Sequence, residues 1–180
     1  SPPKNFRHLA SQFFMASLDA VRPGGLMSMV VSHNLMDALD SSARMEMAQR
    51  AEFVGAIRLP DTAFRENART DVVTDIMFFR KRSVSERAVA QAAIDDMFGR
   101  KTKDEDRADP RFASIKKEIG RWTGSDTIND PAGSGETINV NEYFLHNPDM
   151  VVGKIDASGK MNGRPDLNVR LENPAEFDDR

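Results

Sequence analysis

Two apolar runs, "FVGAIRLP" at 53–60 and "VVTDIMFFRKR" at 72–82, flank a polar stretch with no helical stripe. Strands joined without an intervening helix pair antiparallel, so 53–59 and 72–80 are expected to form a hairpin. Upstream, "LMSMVV" at 26–31 is apolar except for Ser28 and reads as a strand buried on both faces. The helical pattern "SSARMEMAQRA" lies between it and 53–59, a crossover that sets these two strands parallel. Before them, "NFRHLASQFFMASLDAVR" at 5–22 places Phe6, Leu9, Ala10, Phe13, Phe14, Leu18 and Val21 on one helical stripe. Asn5 is its expected N-cap, and Pro-Gly-Gly at 23–25 ends it. The order predicts an α/β fold: half of a doubly wound mixed sheet closed by an antiparallel hairpin. Three strands with helices on both faces make a poor domain alone, so further upstream sequence is expected to complete it.

Residues 1–83 form this half-domain, 84–121 a helical and charged linker, and 122–180 an irregular tail. In the linker, "SVSERAVAQAAIDDMFGR" is helical with Ser85 as its cap, "KTKDEDRADPR" is solvated, and "FASIKKEIGRW" is a short amphipathic helix. In the tail, "SDTINDPAGSGET" reads as turn-rich and mobile, while "INVNEYFLHNPDMVVGKI" docks on the main body; the last 20 residues have no readable periodicity. Ten methionines against one Trp and one Tyr predict an adaptable core instead of a rigid aromatic one. The formal charge of −3 excludes a globally basic nucleic-acid binder and leaves room for a local basic patch. Without cysteine there is no disulfide, thiolate metal site or cysteine nucleophile. No apolar run approaches the length of a membrane span and no signal peptide is read, so a cytoplasmic location is expected.

The loop after Pro60 holds Phe64 among Asp61, Arg65, Glu66 and Arg69. An aromatic there either folds back as a hydrophobic staple or is presented to a partner. Arg65 and Arg69 share the loop and are expected to make phosphate contacts. Ser32 and Asn34 follow the first strand at its C-terminal end, where open α/β sheets place ligand-contacting loops, and either cap the loop or contact DNA or substrate. Asp75 is expected to pair with a neighbouring base, and Arg80–Lys81–Arg82 to form a solvated strand end. His8, His33 and His146 lack metal-ligand spacing and are expected in solvated or capping roles. Trp122 and Tyr143 are expected to anchor the tail.

"FRHLASQFFMASLDAVRPGGLMSMVVS", "AIRLPDTAF" and "TDVVTDIMFFRKR" in this order, with "NEYFLHNPDMVVG" later, resemble the C-terminal half of the catalytic domain of S-adenosylmethionine-dependent adenine-N6-specific DNA methyltransferases. The likeness is to large phage and plasmid versions fused to helicase-like regions. It implies a Rossmann-like sheet in which the family's strand order puts 72–80 between the other two strands, double-stranded DNA as partner, and S-adenosylmethionine as the cofactor of the intact enzyme. It also implies that Phe64 stacks on a flipped-out adenine, which returns roughly 1–3 kcal/mol of lost stacking. The family's glycine-rich cofactor turn and its Pro-Pro-containing tetrapeptide have no convincing match: "GSGE" at 133–136 follows no strand, and "SPPK" at 1–4 ends in Lys where an aromatic is needed. No catalytic, cofactor-binding or metal-ligating residue is therefore assigned, and both motif-bearing loops are expected on a missing N-terminal half or helicase-like partner region. The chain alone is expected to be inactive. The alternative is a non-catalytic DNA-binding or scaffold module that keeps the half-fold.

Overall fold

The computed structural model describes residues 4–64 and 72–171, with only the helical backbone for residues 4–8. Helix α1 (Lys4–Asp19) is already formed one residue ahead of Asn5, so Asn5 lies inside the helix instead of capping it. Its stripe buries Phe14 and Leu18 and leaves Phe13 outside. The Pro-Gly-Gly turn is locked to the far end of the sheet, because Gly24 N donates to Lys81 O (2.8 Å) and Lys81 N to Gly25 O (2.9 Å). Lys81 Nζ also donates to Leu18 O (2.8 Å) and Val21 O (2.7 Å), placing a cation at the C-terminal end of α1 and on the turn that follows it.

Strands β1 (Leu26–Ser32), β2 (Ala51–Leu59) and β3 (Thr74–Lys81) form one sheet in the order β1-β3-β2. The expected central place of the 72–80 strand is correct. β1 and β2 point the same way, but β3 separates them and pairs antiparallel with each. Among the described residues no parallel ladder forms, only a single parallel bridge between Arg58 and Val151. The fold is α/β with antiparallel sheets. A Rossmann-like parallel sheet is not present in the described residues.

The expectation that β1 is buried on both faces is also corrected. Met27, Met29 and Val31 turn inward, while Leu26 is 74% exposed and Val30 55%. Val54 at 52% and Phe78 at 37% extend this bare apolar surface over the other two strands. Among the described residues the helices pack on the opposite face: Phe14 of α1 meets Phe79 edge-on (5.0 Å between ring centroids), and Trp122 stacks on Phe53 (4.7 Å).

Trp122 belongs to α6 (Phe112–Thr123), which follows α2 (Asn34–Asp37), α3 (Ser42–Arg50), α4 (Val84–Met97) and the short α5 (Asp104–Arg107). The α4 cap is Ser83, not Ser85: Glu86 N donates to Ser83 Oγ (3.3 Å) and Ser83 N to a Glu86 carboxylate oxygen (2.7 Å). That capping box is written in the sequence as S-x-x-E. The core centre is aromatic, contrary to the methionine-based expectation: Phe14, Phe53, Phe79, Trp122, Tyr143 and Phe144 are all buried, with Met36, Met47 and Met77 around them. Trp122 and Tyr143 do anchor the later part of the chain.

Residues expected to be turn-rich form a hairpin, β4 (Ser125–Asn129) with β5 (Thr137–Asn141). After α7 (Glu142–His146) and a 3-10 turn (Pro148–Met150), a second hairpin pairs β6 (Lys154–Met161) with β7 (Arg164–Arg170). Its turn is Asn162–Gly163, both at positive φ (51° and 76°). Asn-Gly is the strongest short hairpin signal, because both residues tolerate the left-handed conformation that a two-residue turn requires. It was legible in the sequence and was missed.

Candidate functional site

The sheet's inner face carries charge at its lower end. Arg58 is fully buried and donates through Nε to Asp75 (2.8 Å) and through Nη2 to Asp75 (2.9 Å) and Asp37 (2.9 Å). Its guanidinium lies over the Phe144 ring, 4.1 Å from the centroid. Burial by itself works against the guanidinium charge, but Asp37 and Asp75 outweigh it and raise the Arg58 pKa. Burial pushes the Asp37 carboxyl up, and the charges of Arg58 and His33 overcome this and hold it below the ordinary carboxylate range. Asp37 also accepts from Asn141 N (2.8 Å), which ties α2 to β5.

His33 extends the network outward. Its Nδ1 meets Asp37 at 2.9 Å and its Nε2 lies 3.5 Å from Asp166 of β7. Burial works against the charged ring, yet the contacts with Asp166 and Asp37 raise its pKa from 6.5 to about 9. The expected solvated or capping role of His33 is therefore corrected to a buried ion pair. His146 does cap, with Nδ1 2.7 Å from Glu142 O, whereas the His8 side chain lies outside the described residues.

His33 lines a cleft of about 610 Å³ between the β1–α2 turn and the β6–β7 hairpin, together with Ser32, Asn34, Asp61, Lys160 and Asn168. An adjoining lobe of about 770 Å³ reaches Leu39, Asp40 and Arg164. The structure thus brings Ser32 and Asn34 to one cleft wall, where the Asn34 carboxamide lies 3.0 Å from Ser32 Oγ. Polar groups of both kinds and charges of both signs line it, so it is no basic phosphate stripe. Phe64 lies elsewhere, half-buried in the turn after Pro60. Arg65 and Arg69 lie outside the described residues.

The remaining basic residues near the hairpin are structural. Arg80 is held by Glu52 (2.5 Å) and Glu86 (2.6 Å), Lys81 caps α1, and the buried Arg82 pairs with Glu118 and donates to Ala48 O (3.0 Å). The reading of this triplet as a solvated end is wrong, because the turn of α1 and helices α3, α4 and α6 all converge on it. Sequence reasoning found Asp75 with its basic partner but missed Asp37, on a short helix that was read as loop, and Asp166, far along the chain on an unrecognised strand. Only the His33–Asp37 spacing of four along a helix was a local signal. Among the described residues no group of three or more His, Cys, Asp or Glu could hold a metal ion, and no helix is long and apolar enough to cross a membrane.

Over 74 residues, 41% of its length, the chain is 34% identical to defense against restriction protein B of Escherichia phage P1. The matched part spans 3% of that protein, so the chain is comparable to only a small portion of it. No protein-family model matches the chain, and no solved structure matches it significantly. This relative corrects the methyltransferase reading. Its name describes defence against restriction, not methyl transfer, and the transferase activity falls with the resemblance that implied it. The S-adenosylmethionine expectation rested on that resemblance alone.

Proposed function

We propose that this chain is one segment of a larger protein that defends DNA against restriction, and that it serves there as an assembly element. The observation that carries the reading is the 34% identity to a phage protein of that name, of which the match spans 3%. The sheet supports the assembly role. Antiparallel sheets facing water alternate apolar and polar residues, whereas here Leu26, Val30, Val54 and Phe78 share the bare side. The outer edge of β2 is partly occupied, since Val152 N donates to Arg58 O (2.9 Å) and Arg121 Nη2 to Phe53 O (3.0 Å). The outer edge of β1 has no strand beside it among the described residues, and such an edge invites pairing. Double-stranded DNA is the proposed partner of the whole assembly, with Ser32 and Asn34 as its contacts at the cleft.

The test is a restriction challenge with the whole protein. Unmodified DNA is introduced into a restricting host, and its survival is compared between the unaltered protein and the double variant Val30→Asp, Phe78→Asp. Survival should drop at least tenfold, while the isolated 180-residue chain carrying both changes keeps its folded circular-dichroism spectrum. Undiminished survival would refute the assembly role. Loss of the whole segment without any effect on survival would remove the anti-restriction reading itself.

A further inference from the structure

The β6–β7 hairpin is attached firmly at its base and lightly toward its tip. At the base, Leu167 and Val169 are buried, Asp61 N donates to Val169 O (3.2 Å), and Ala157 N donates to Asp130 (3.2 Å). The ladder then slips register between Asp156 and Gly159, a bulge that bends the outer half of the strand. Beyond this bend lie Lys160, Met161, Asn162 and Arg164, which form one wall of the cleft. Asp166, opposite Gly159, touches His33 on the other wall.

We propose that the tip of this hairpin is a flap over the cleft, latched by the ion pair between His33 and Asp166 and released when the His33 ring becomes neutral. The inference stands apart from the anti-restriction reading, since it uses only the cleft and its walls. Four features fit a latch. His33 is itself fixed, because Asp37 holds its Nδ1 and is held in turn by Arg58. Asp166 is about one-quarter exposed, so water can replace His33 when the flap lifts. The hinge coincides with the bulge, and the turn at Asn162–Gly163 keeps the moving piece rigid.

The charges that face His33 give the proton its direction. Asp37 on α2 and Asp166 on β7 favour the imidazolium, Arg58 on β2 opposes it, and Asp75 on β3 moderates Arg58. Asp61 and Lys160 line the same cleft. With the ring's pKa raised from 6.5 in the unfolded chain to about 9, the latch is fully present below 6.5 and is lost as pH rises through about 9. At neutral pH the flap is closed.

The chain lacks cysteine, so Leu39→Cys and Arg164→Cys place spin labels on opposite walls without competing thiols and leave the Asn162–Gly163 turn intact. Electron–electron distance measurements should give a narrow, short distribution at pH 7.5 and a longer, broader one at pH 10, with the midpoint near pH 9. Asp166→Asn should broaden it already at pH 7.5, while Trp122 fluorescence confirms that the core stays folded. Lys160→Met should leave the transition in place. An unchanged narrow distance in Asp166→Asn at pH 7.5 overturns the latch. A transition that persists in His33→Gln, or disappears with Lys160→Met, overturns its assignment to His33.

Discussion

Arg58 and Asp75 stand in register across the β2–β3 ladder, joined by bonds of 2.8 and 2.9 Å, and neither side chain has any exposure. Two charges in such a place are costly to separate, because the one left behind has no water to turn to. Arg58→Met should therefore destabilise the chain by about 3–5 kcal/mol, read as a shift of the urea midpoint at constant slope. Combining it with Asp75→Leu should cost less than the two single changes summed, since the double variant no longer buries a lone Asp75. Strict additivity would show that the pair is not coupled.

Trp122 is the only tryptophan and is fully buried against Phe53 and Phe79, so its emission reports the integrity of the core. Trp122→Ala should cost about 3–5 kcal/mol through lost burial and the cavity it leaves. Trp122→Phe should cost clearly less, because the indole Nε1 has no hydrogen-bond partner among the described residues and its removal leaves nothing unpaired. Thermal melts followed by circular dichroism compare the two. Equal losses would mean that Nε1 has an acceptor.

The start of α4 predicts a response to acid. Hydrogen bonding with Arg80, then the backbone and hydroxyl of Ser83, lowers the Glu86 pKa from 4.5 to about 2. A lowered carboxylate stabilises the fold above pH 4.5 and loses this contribution as pH falls through about 2. Ser83→Ala should cost about 1 kcal/mol at pH 7. In Glu86→Gln the stability between pH 5 and pH 2.5 should fall less steeply than in the unaltered chain. Identical slopes in urea titrations would contradict the lowered Glu86 pKa.

Gly153 has φ of 127°, and a β-carbon there would run into the carbonyl of Arg170. Gly24, at φ of 76° in the turn after α1, has open space around it. Both positions disfavour an L side chain, but only the first adds a collision with backbone that cannot give way. Gly153→Ala should thus lower the melting temperature several degrees more than Gly24→Ala. Differential scanning calorimetry decides, and a smaller effect at Gly153 would show that the hairpin base yields.

The neighbourhood of Gly153 also shows what was locally readable. The helix stripe of 5–22 and the β2–β3 hairpin follow from patterns within one element or one connection, whereas the central place of β3 needed the strand order that the resemblance implied. The pairing of Asp75 with a base is local too, once two strands are known to lie side by side. The Ser83 capping box and the Asn162–Gly163 turn were equally local and were overlooked. By itself, then, the sequence determined the periods of its helices and strands, its turns and its caps, because backbone sterics and amphipathicity act over a few residues. Only the tertiary structure decided that β1 has one bare face, that Arg80, Lys81 and Arg82 are held by partners from five other parts of the chain, and that His33 meets Asp166 across 133 positions. These are distances in space between groups whose spacing in sequence carries no period. Burial then turned ordinary side chains into a coupled charge network, and burial belongs to the packed molecule, not to any segment of it.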